Sequence, residues 1–348
     1  MKKRKVYTLK WTTAAFIFLC CGLFLFANIS EVFRLKTGED IDMIHSIYSL
    51  EDNEIDVLFL GSSHGFFAAD PNYLWHEYGI ASYNMCSHGQ SVPSSYYLLK
   101  EALKTQSPKI VFLETYTFCD NKLYRGEPRL RQAFDGIHLD DVKSEMIEDF
   151  FDDASLSEKL TYYIPFLKYH SRWSELENYD FHSKDFLKGF MMSTTIKPQE
   201  APEIPDSTSE LGETACAYFE KIQELCDENN IQLIVFSTPF GISTTDKHYI
   251  YRQGINNTLE TYLAEKNIPF LYFQKTNMAG IDFATDFVDT HHLNTYGAEK
   301  ITHYIGDYLV QNFQITDHRG EDSYQSWDED YIKYQKEFEA LEALSNNQ

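Results

Sequence analysis

Cysteine is scarce in this chain, with six in 348 residues. Cys20 and Cys21 fall in an apolar N-terminal run, and the other four, Cys86, Cys119, Cys216 and Cys226, form no Cys-x-x-Cys pair. A thiolate zinc site or a dithiol redox motif therefore has no support, and buried free thiols are the expected state. The twelve histidines show no paired metal-ligand spacing, so neither a metal nor a cofactor is expected. Basic residues are also few, 30 Lys and Arg against 53 Asp and Glu, a net charge of −23. Seven of the basic residues and one acid lie in residues 1–36, so the rest of the chain holds 23 basic and 52 acidic residues, a net charge of −29. Phosphate backbones would be repelled, which argues against a nucleic-acid partner. No internal repeat is present. Hydrophobic residues, by contrast, make up 43% of the chain, ample for one large core or a domain with a cap. Aromatics, at 16%, fit either core and lid packing or a carbohydrate-facing surface.

The one long hydrophobic run is at the N-terminus. Lys2, Lys3, Arg4, Lys5 and Lys10 precede an apolar stretch from Trp11 to Ala27. As a helix that stretch spans roughly 25 Å against a hydrocarbon core of about 30 Å, and Ile29 and Phe33 can extend it. A basic flank before the run puts residues 1–10 in the cytoplasm, residues 11–30 across the membrane and the remainder outside. A cleaved signal peptide is the rival reading. The bulky Phe24-Leu25-Phe26-Ala27 offers no small-residue cleavage site, and Phe18-Leu19 before Cys20 lacks the small residues of a lipoprotein site.

Beyond the anchor, strand and helix patterns alternate. Ile55–Leu60, Ile80–Met85 and Lys109–Leu113 read as buried strands. Asp70–Tyr78 reads as a short helix with Asp70 as N-cap, Pro71 at the first position and Gly79 as stop. Pro93–Thr105 has helical spacing, with Tyr97, Leu98, Ala102 and Leu103 as its buried stripe. From about 117 to 208 the rhythm breaks into a charged, aromatic stretch, read as a helical insertion or cap followed by a linker. It then resumes: helix Leu211–Asn229, strand Ile231–Phe236, helix Tyr249–Lys266, strand Ile268–Phe273 and helix Tyr296–Gln311. Such alternation predicts an α/β fold, a doubly wound parallel sheet in a three-layer sandwich over about 50–316. The acidic tail, 317–348, leaves open a docked helix or a disordered segment.

Two short strings carry the chemistry. Gly61-Ser62-Ser63-His64 follows the apolar strand Val57–Leu60, and Asp289-Thr290-His291-His292 precedes the last helix of the sheet domain. In a doubly wound sheet, ligands bind beyond the carboxyl ends of the strands, where Ser63 falls. A serine hydroxyl needs a base within hydrogen-bond reach and a third group to hold that base. The expected roles are Ser63 as nucleophile, His292 as base and Asp289 as orienter. Ser62 and His64 are alternatives for the first position, and His291 and Asp286 for the second. The cluster Tyr169-His170-Ser171-Arg172-Trp173 either fixes the insertion to its domain or lines a glycan cleft with Arg172 as clamp.

These motifs resemble the SGNH/GDSL hydrolase superfamily over about residues 55–115 and 210–312. Gly61-Ser62-Ser63 stands for its Gly-Asp-Ser, and Asp289 and His292 match its final block, continued by Leu293-Asn294 and Gly297. Asn84–Gln90 ends strand two, so Gly89 matches the family's oxyanion-hole glycine and would act with the Ser63 N–H. The family's Gly-x-Asn-Asp block after strand three is missing; Leu113-Glu114-Thr115-Tyr116 stands there. Gln90, Glu114, Thr115 and Arg172 are the candidate substrate contacts. An anchored domain with Gly-Ser-Ser, no Asn block and an insertion looks most like the DltD-like and alginate-acetylation-like branches. That resemblance implies a serine acyltransferase or esterase acting on O-acyl groups of a cell-envelope polysaccharide or teichoic-type polymer, beside a membrane-bound O-acyltransferase. Transfer is favoured over hydrolysis. The alternative is a non-catalytic envelope protein that binds polymer or scaffolds the acyltransferase.

Overall fold

The computed structural model describes residues 2–34, 40–181, 185–241 and 247–345. Met1, residues 182–184 of the insertion and residues 346–348 of the tail lie outside them. Five parallel strands, β1 (Val57–Gly61), β2 (Ser82–Cys86), β3 (Ile110–Glu114), β4 (Gln232–Ser237) and β5 (Phe270–Tyr272), form one sheet in the order β2-β1-β3-β4-β5. All four pairings are parallel. This is the doubly wound α/β order whose direction of winding reverses between β1 and β3. Each strand lies within a few residues of its sequence-predicted span.

Side-chain alternation sends each strand's apolar residues to two separate cores. Leu58, Leu60, Val111, Leu113, Leu233 and Val235 face the helices Val92–Ala102 and Glu213–Glu228 through Leu98, Leu99, Phe219 and Ile222. Val57, Phe59, Ile110, Phe112, Ile234 and Phe236 face the helix Thr295–Asn312 through Ile301, Ile305 and Leu309. Because both faces are covered, the strands read as continuous hydrophobic runs. Asp70 caps the helix Pro71–Tyr78, accepting from the N–H groups of Asn72 (2.9 Å) and Tyr73 (3.3 Å). The folded body also takes in residues just before the expected boundary at 50, since Ile44 and Ile47 belong to the first core.

The longer helices of the insertion are Glu127–Phe134, Asp141–Phe150 and Leu156–Tyr163. Phe134, Met146 and Ile147 join the core of Leu98. An extended segment then crosses to the other side of the molecule, where the Met191 N–H bonds the Phe66 carbonyl and the Lys197 N–H bonds that of Phe287.

The tail resolves to a docked helix, Gln325–Ser345. Trp327 and Tyr334 are its buried anchors. The Trp327 indole donates to Glu54 (2.7 Å), and the Tyr334 hydroxyl donates to Asp70 (2.6 Å).

The N-terminal helix runs from Lys2 to Phe33. Its segment Trp11–Phe33 has mean hydropathy 2.1 and is exposed over most of its length. It is long and apolar enough to cross a membrane.

Candidate active site

Gly61 ends β1 with φ +145°, and a Cβ there would come within 2.5 Å of Glu114 Cβ. Only glycine lets β1 and β3 approach this closely at their carboxyl ends. The chain then turns into the short helix Ser63–Phe66, with Ser62 as N-cap. Glu114, at the end of β3, accepts from Ser62 Oγ (2.6 Å), the Ser62 N–H (3.2 Å) and the Tyr116 N–H (2.6 Å). Burial pushes the Glu114 carboxyl pKa up, against the lowering effect of those three hydrogen bonds. Strand-end sterics and a buried acid therefore hold Ser63 at the reversal point of the sheet.

The second half comes from a tight loop. An antiparallel bridge joins Phe287 to Leu293. The Val288 N–H bonds the His292 carbonyl at 3.0 Å. Asp289 Oδ1 accepts from the N–H groups of His291 (2.6 Å) and His292 (2.8 Å), and the same carboxylate receives His292 Nδ1 at 2.9 and 3.2 Å. Burial opposes ionisation of Asp289, but the His292 hydrogen bond and charge and the two N–H groups hold its pKa well below the usual carboxylate range. Asn294, next in the loop, caps the helix Thr295–Asn312 by accepting from the Gly297 N–H at 3.1 Å.

His292 Nε2 lies 2.9 Å from Ser63 Oγ, across 229 residues of sequence. With Nδ1–H donating to Asp289, Nε2 is left to accept the serine proton. Ser63, His292 and Asp289 thus form one continuous hydrogen-bonded chain. The Asp289 side chain is 43% exposed against 18% for His292, so the orienting carboxylate reaches solvent.

Of the neighbouring alternatives, Ser62, His64 and Asp286 have other partners, while His291 Nδ1 is buried without a hydrogen-bond partner among the described residues. Ser62 is taken by Glu114. His64 is buried, with Nδ1 3.1 Å from Thr238 Oγ1, and its ring stacks on Tyr116 at 4.2 Å. Burial first, then the His292 and His291 charges, holds His64 well below its ordinary pKa and keeps it neutral. Asp286 pairs with Lys300 at 2.5 Å, and the His291 ring stands 6.3 Å from that of His64.

Gly89 adopts φ +61° in a turn closed by the Gln90 N–H to the Ser87 carbonyl (3.1 Å). The Ser87 N–H in turn bonds Gly61 (3.2 Å), tying this turn to the one that carries Ser63. Among the described residues, neither the Ser63 N–H nor the Gly89 N–H bonds a backbone carbonyl.

The four substrate-contact candidates all have partners within the protein. Gln90 is buried, accepting from Ser87 Oγ (2.9 Å) and donating to the Met85 carbonyl (3.2 Å) and Ser95 Oγ (3.0 Å), so it pins the Gly89 turn. Glu114 is spent on Ser62 and Tyr116. Thr115 is buried and donates to Asn256 Oδ1 at 3.0 Å. Arg172 grips the end of the N-terminal helix, donating to the Phe33 (2.8 Å) and Arg34 (2.7 Å) carbonyls and pairing with buried Asp180 at 2.9 Å. Glu114 and Thr115 also line a small pocket together with His64, Tyr116 and Thr238.

Sequence reasoning missed a cationic border. A Cβ on Gly89 would sit 3.6 Å from Arg125 Cδ and 3.7 Å from Arg129 Cγ. Arg125 pairs with Asp120 at 3.0 Å, and Arg129 Nη1 donates to Gln132 at 3.0 Å. Burial and then the Arg129 and His292 charges lower His88 to about 4, so positive charge reaches the serine side of the turn. Arg125 also lines an open cleft of about 830 Å³ formed by residues 119–126. Arg252 Cζ lies 4.0 Å from the centre of the Tyr116 ring and binds the Tyr116 carbonyl. No sequence motif joins these arginines to Ser63, so only the folded chain brings them together.

No protein-family model matches the chain, and no curated protein is significantly similar to it. Solved structures that resemble it include a protein described as lipolytic and of the G-D-S-L family from Desulfitobacterium hafniense DCB-2. It is 14% identical over 73% of this chain and 98% of that one, with a TM-score of 0.36. Another, described as an acylhydrolase, from Bacteroides fragilis NCTC 9343, is 11% identical over 76% and 92%, also at 0.36. A protein from Lactobacillus plantarum is 13% identical over 75% and 99%, at 0.35. At these identities and TM-scores the likeness assigns no function to this chain.

Proposed function

We propose that this protein is a membrane-anchored, SGNH-like serine enzyme that moves O-acyl groups on a cell-envelope polysaccharide or teichoic-type polymer outside the cytoplasm. The observation that carries the reading is the Ser63–His292–Asp289 chain, with 2.9 Å at both links. His292 takes the Ser63 proton as Oγ attacks the acyl carbonyl. The tetrahedral oxyanion is met by the Ser63 and Gly89 N–H groups. The bond to the donor oxygen breaks, His292 returns the proton to that oxygen, and an acyl-serine remains. A polymer hydroxyl then attacks the ester, giving its proton to His292, and Ser63 leaves as the alcohol.

Transfer is preferred to hydrolysis because the N-terminal helix would confine the serine beside a membrane-bound O-acyltransferase, raising its effective concentration. Arg125 and Arg129, bordering the Gly89 turn, with Arg125 also lining the adjoining cleft, favour a polymer bearing acidic groups.

The test is p-nitrophenyl acetate turnover by the full chain in detergent, compared with Ser63→Ala and His292→Ala. Loss in both variants supports the reading. Undiminished turnover in both variants would sink it.

One observation favours a second reading. The SGNH pattern's Gly-x-Asn-Asp block is replaced by Leu113-Glu114-Thr115-Tyr116, so Thr115 stands in the place of the Asn donor, and its hydroxyl is committed to Asn256 Oδ1. Losing such a donor costs about 3–4 kcal/mol of transition-state stabilisation. A non-catalytic protein that binds polymer or scaffolds an acyltransferase would bind polymer equally well as Ser63→Ala and show no serine-dependent turnover.

A further inference from the structure

The insertion grips the N-terminal helix where its apolar stretch ends. The Phe166 ring stands edge-on to Phe26 and Phe33, with centroids 5.3 and 5.4 Å away. Arg172 holds the carbonyls of Phe33 and Arg34 while its other nitrogen pairs with Asp180, and both side chains are buried. A buried guanidinium held at both Nη nitrogens is a rigid clamp, so the segment from Phe166 to Asp180 is fixed relative to the helix end.

This same region turns large apolar side chains outward. Trp173, next to the clamping arginine, is 73% exposed, and Leu167, Tyr179 and Phe181 are exposed as well. Just upstream, Leu156 (73% exposed) and Leu160 lie one helical turn apart on Leu156–Tyr163, on the side away from buried Tyr162. Scattered single apolar residues on a surface need no explanation, but a set gathered beside one structural feature does. Here the feature is the exit of a helix apolar enough to span a bilayer. Aromatic side chains flanking such an exit belong at headgroup level, and a short helix with leucines on its outer face lies in that plane. Among the described residues of this face, two lysines are already paired: Lys159 with Glu148 at 2.5 Å and Lys168 with Glu127 at 2.7 Å. In a chain of net charge −23, the contact is apolar and does not require anionic lipid.

We propose that the face formed by Leu156, Leu160, Leu167, Trp173, Tyr179 and Phe181 lies in the interfacial layer of the bilayer crossed by the N-terminal helix, with phospholipid as its partner. This rests on the reading of that helix as an anchor. The clamp and the embedded face together fix the tilt of the body, so Ser63 stands at a set height above the membrane rather than swinging on a tether.

The test uses tryptophan quenching in the full chain. It is reconstituted into phosphatidylcholine vesicles whose acyl chains are brominated close to the glycerol. The protein has four tryptophans. Trp75 and Trp327 are 1% exposed and inside the fold, so Trp11 and Trp173 report on lipid. Three proteins are compared: wild type, Trp11→Phe, and Trp11→Phe with Trp173→Phe. Both positions are exposed, so the substitutions leave the core untouched. The expected result is quenching in Trp11→Phe that is lost when Trp173 is also replaced. Quenching in wild type but none in Trp11→Phe would overturn the proposal while leaving the anchor intact, because Trp173 then faces water or another protein. No quenching in any of the three would remove the anchor and the proposal together.

Discussion

Glu114, the last residue of β3, accepts a 2.6 Å hydrogen bond from the hydroxyl of Ser62, the residue that precedes the nucleophile position. A buried acid from one strand thus braces the turn of its neighbour. Glu114→Ala would strip the acceptor from Ser62 Oγ, the Ser62 N–H and the Tyr116 N–H at once. Each buried group left unsatisfied costs about 1–3 kcal/mol. A lowered melting temperature together with a fall in kcat for p-nitrophenyl acetate is expected. Unchanged kcat in folded Glu114→Ala would show that the brace does not position Ser63.

Asp289 holds His292 but is itself partly open to water. Asp289→Asn keeps the shape and removes the charge that fixes the imidazole tautomer. The expected fall in kcat lies between about 10²- and 10⁴-fold, toward the lower end because solvent can partly replace the exposed carboxylate. Steady-state kinetics on the variant, with Ser63→Ala as the baseline, measure it. Wild-type kcat would remove Asp289 from the site.

Arg125 and Arg129 border the Gly89 turn. Replacing both with Gln removes two positive charges from the edge of that turn. KM for an acidic polymer acceptor should rise by at least about tenfold, corresponding to about 1.4 kcal/mol, and much less for a neutral ester. Equal changes for acidic and neutral substrates would argue that the pair is structural.

Arg172 clamps the end of the N-terminal helix. Arg172→Gln leaves Asp180 buried without its cation, a loss of about 3–5 kcal/mol. The expected result is a lower melting temperature with ester turnover per folded molecule unchanged. A selective rise in KM at unchanged stability would return Arg172 to the substrate cleft.

The C-terminal helix should loosen as pH rises. Burial lifts Asp70 to about 6, against the hydrogen bonds of Tyr334, Tyr73 and Asn72. Burial also lifts Glu299 to about 7, reinforced by the charges of Asp70, Glu342 and Glu77. Between the ordinary carboxylate range and these raised values, the folded state binds more protons than the unfolded one. Stability from these groups therefore falls as pH climbs toward 6–7 and levels off above. On the same helix Asp330 pairs with Lys188 at 2.5 Å and is held low despite burial, mainly by Lys188. Amide exchange over residues 325–345, corrected for intrinsic rates, should be faster above pH 7 than at pH 5, and Asp70→Asn should flatten the difference. Equal protection at both pH values would remove these acids as the cause.

The strands, the Pro71–Tyr78 helix and the Gly61 turn were legible in the sequence because their causes are local. An apolar run buried on both faces, an Asp-Pro helix start and a glycine at a strand end declare themselves within a few residues. Asp289 and His292 are three apart, so a single loop suffices to join them. Nothing local foretold which way other polar side chains would turn. Gln90, Glu114, Thr115 and Arg172 have residue types suited to binding, yet close packing gave each an internal partner, because a buried polar group must be satisfied. The tail's two options were decided by Asp70 and Glu54, more than 250 residues away in the chain. Arg125 and Arg129 came to the Gly89 turn only through the packing of the insertion. The sequence alone determined the sheet and the turn that presents Ser63, since hydrophobic periodicity and backbone sterics act at short range. The tertiary structure decided what surrounds Ser63, since contacts across 229 residues depend on how the layers close.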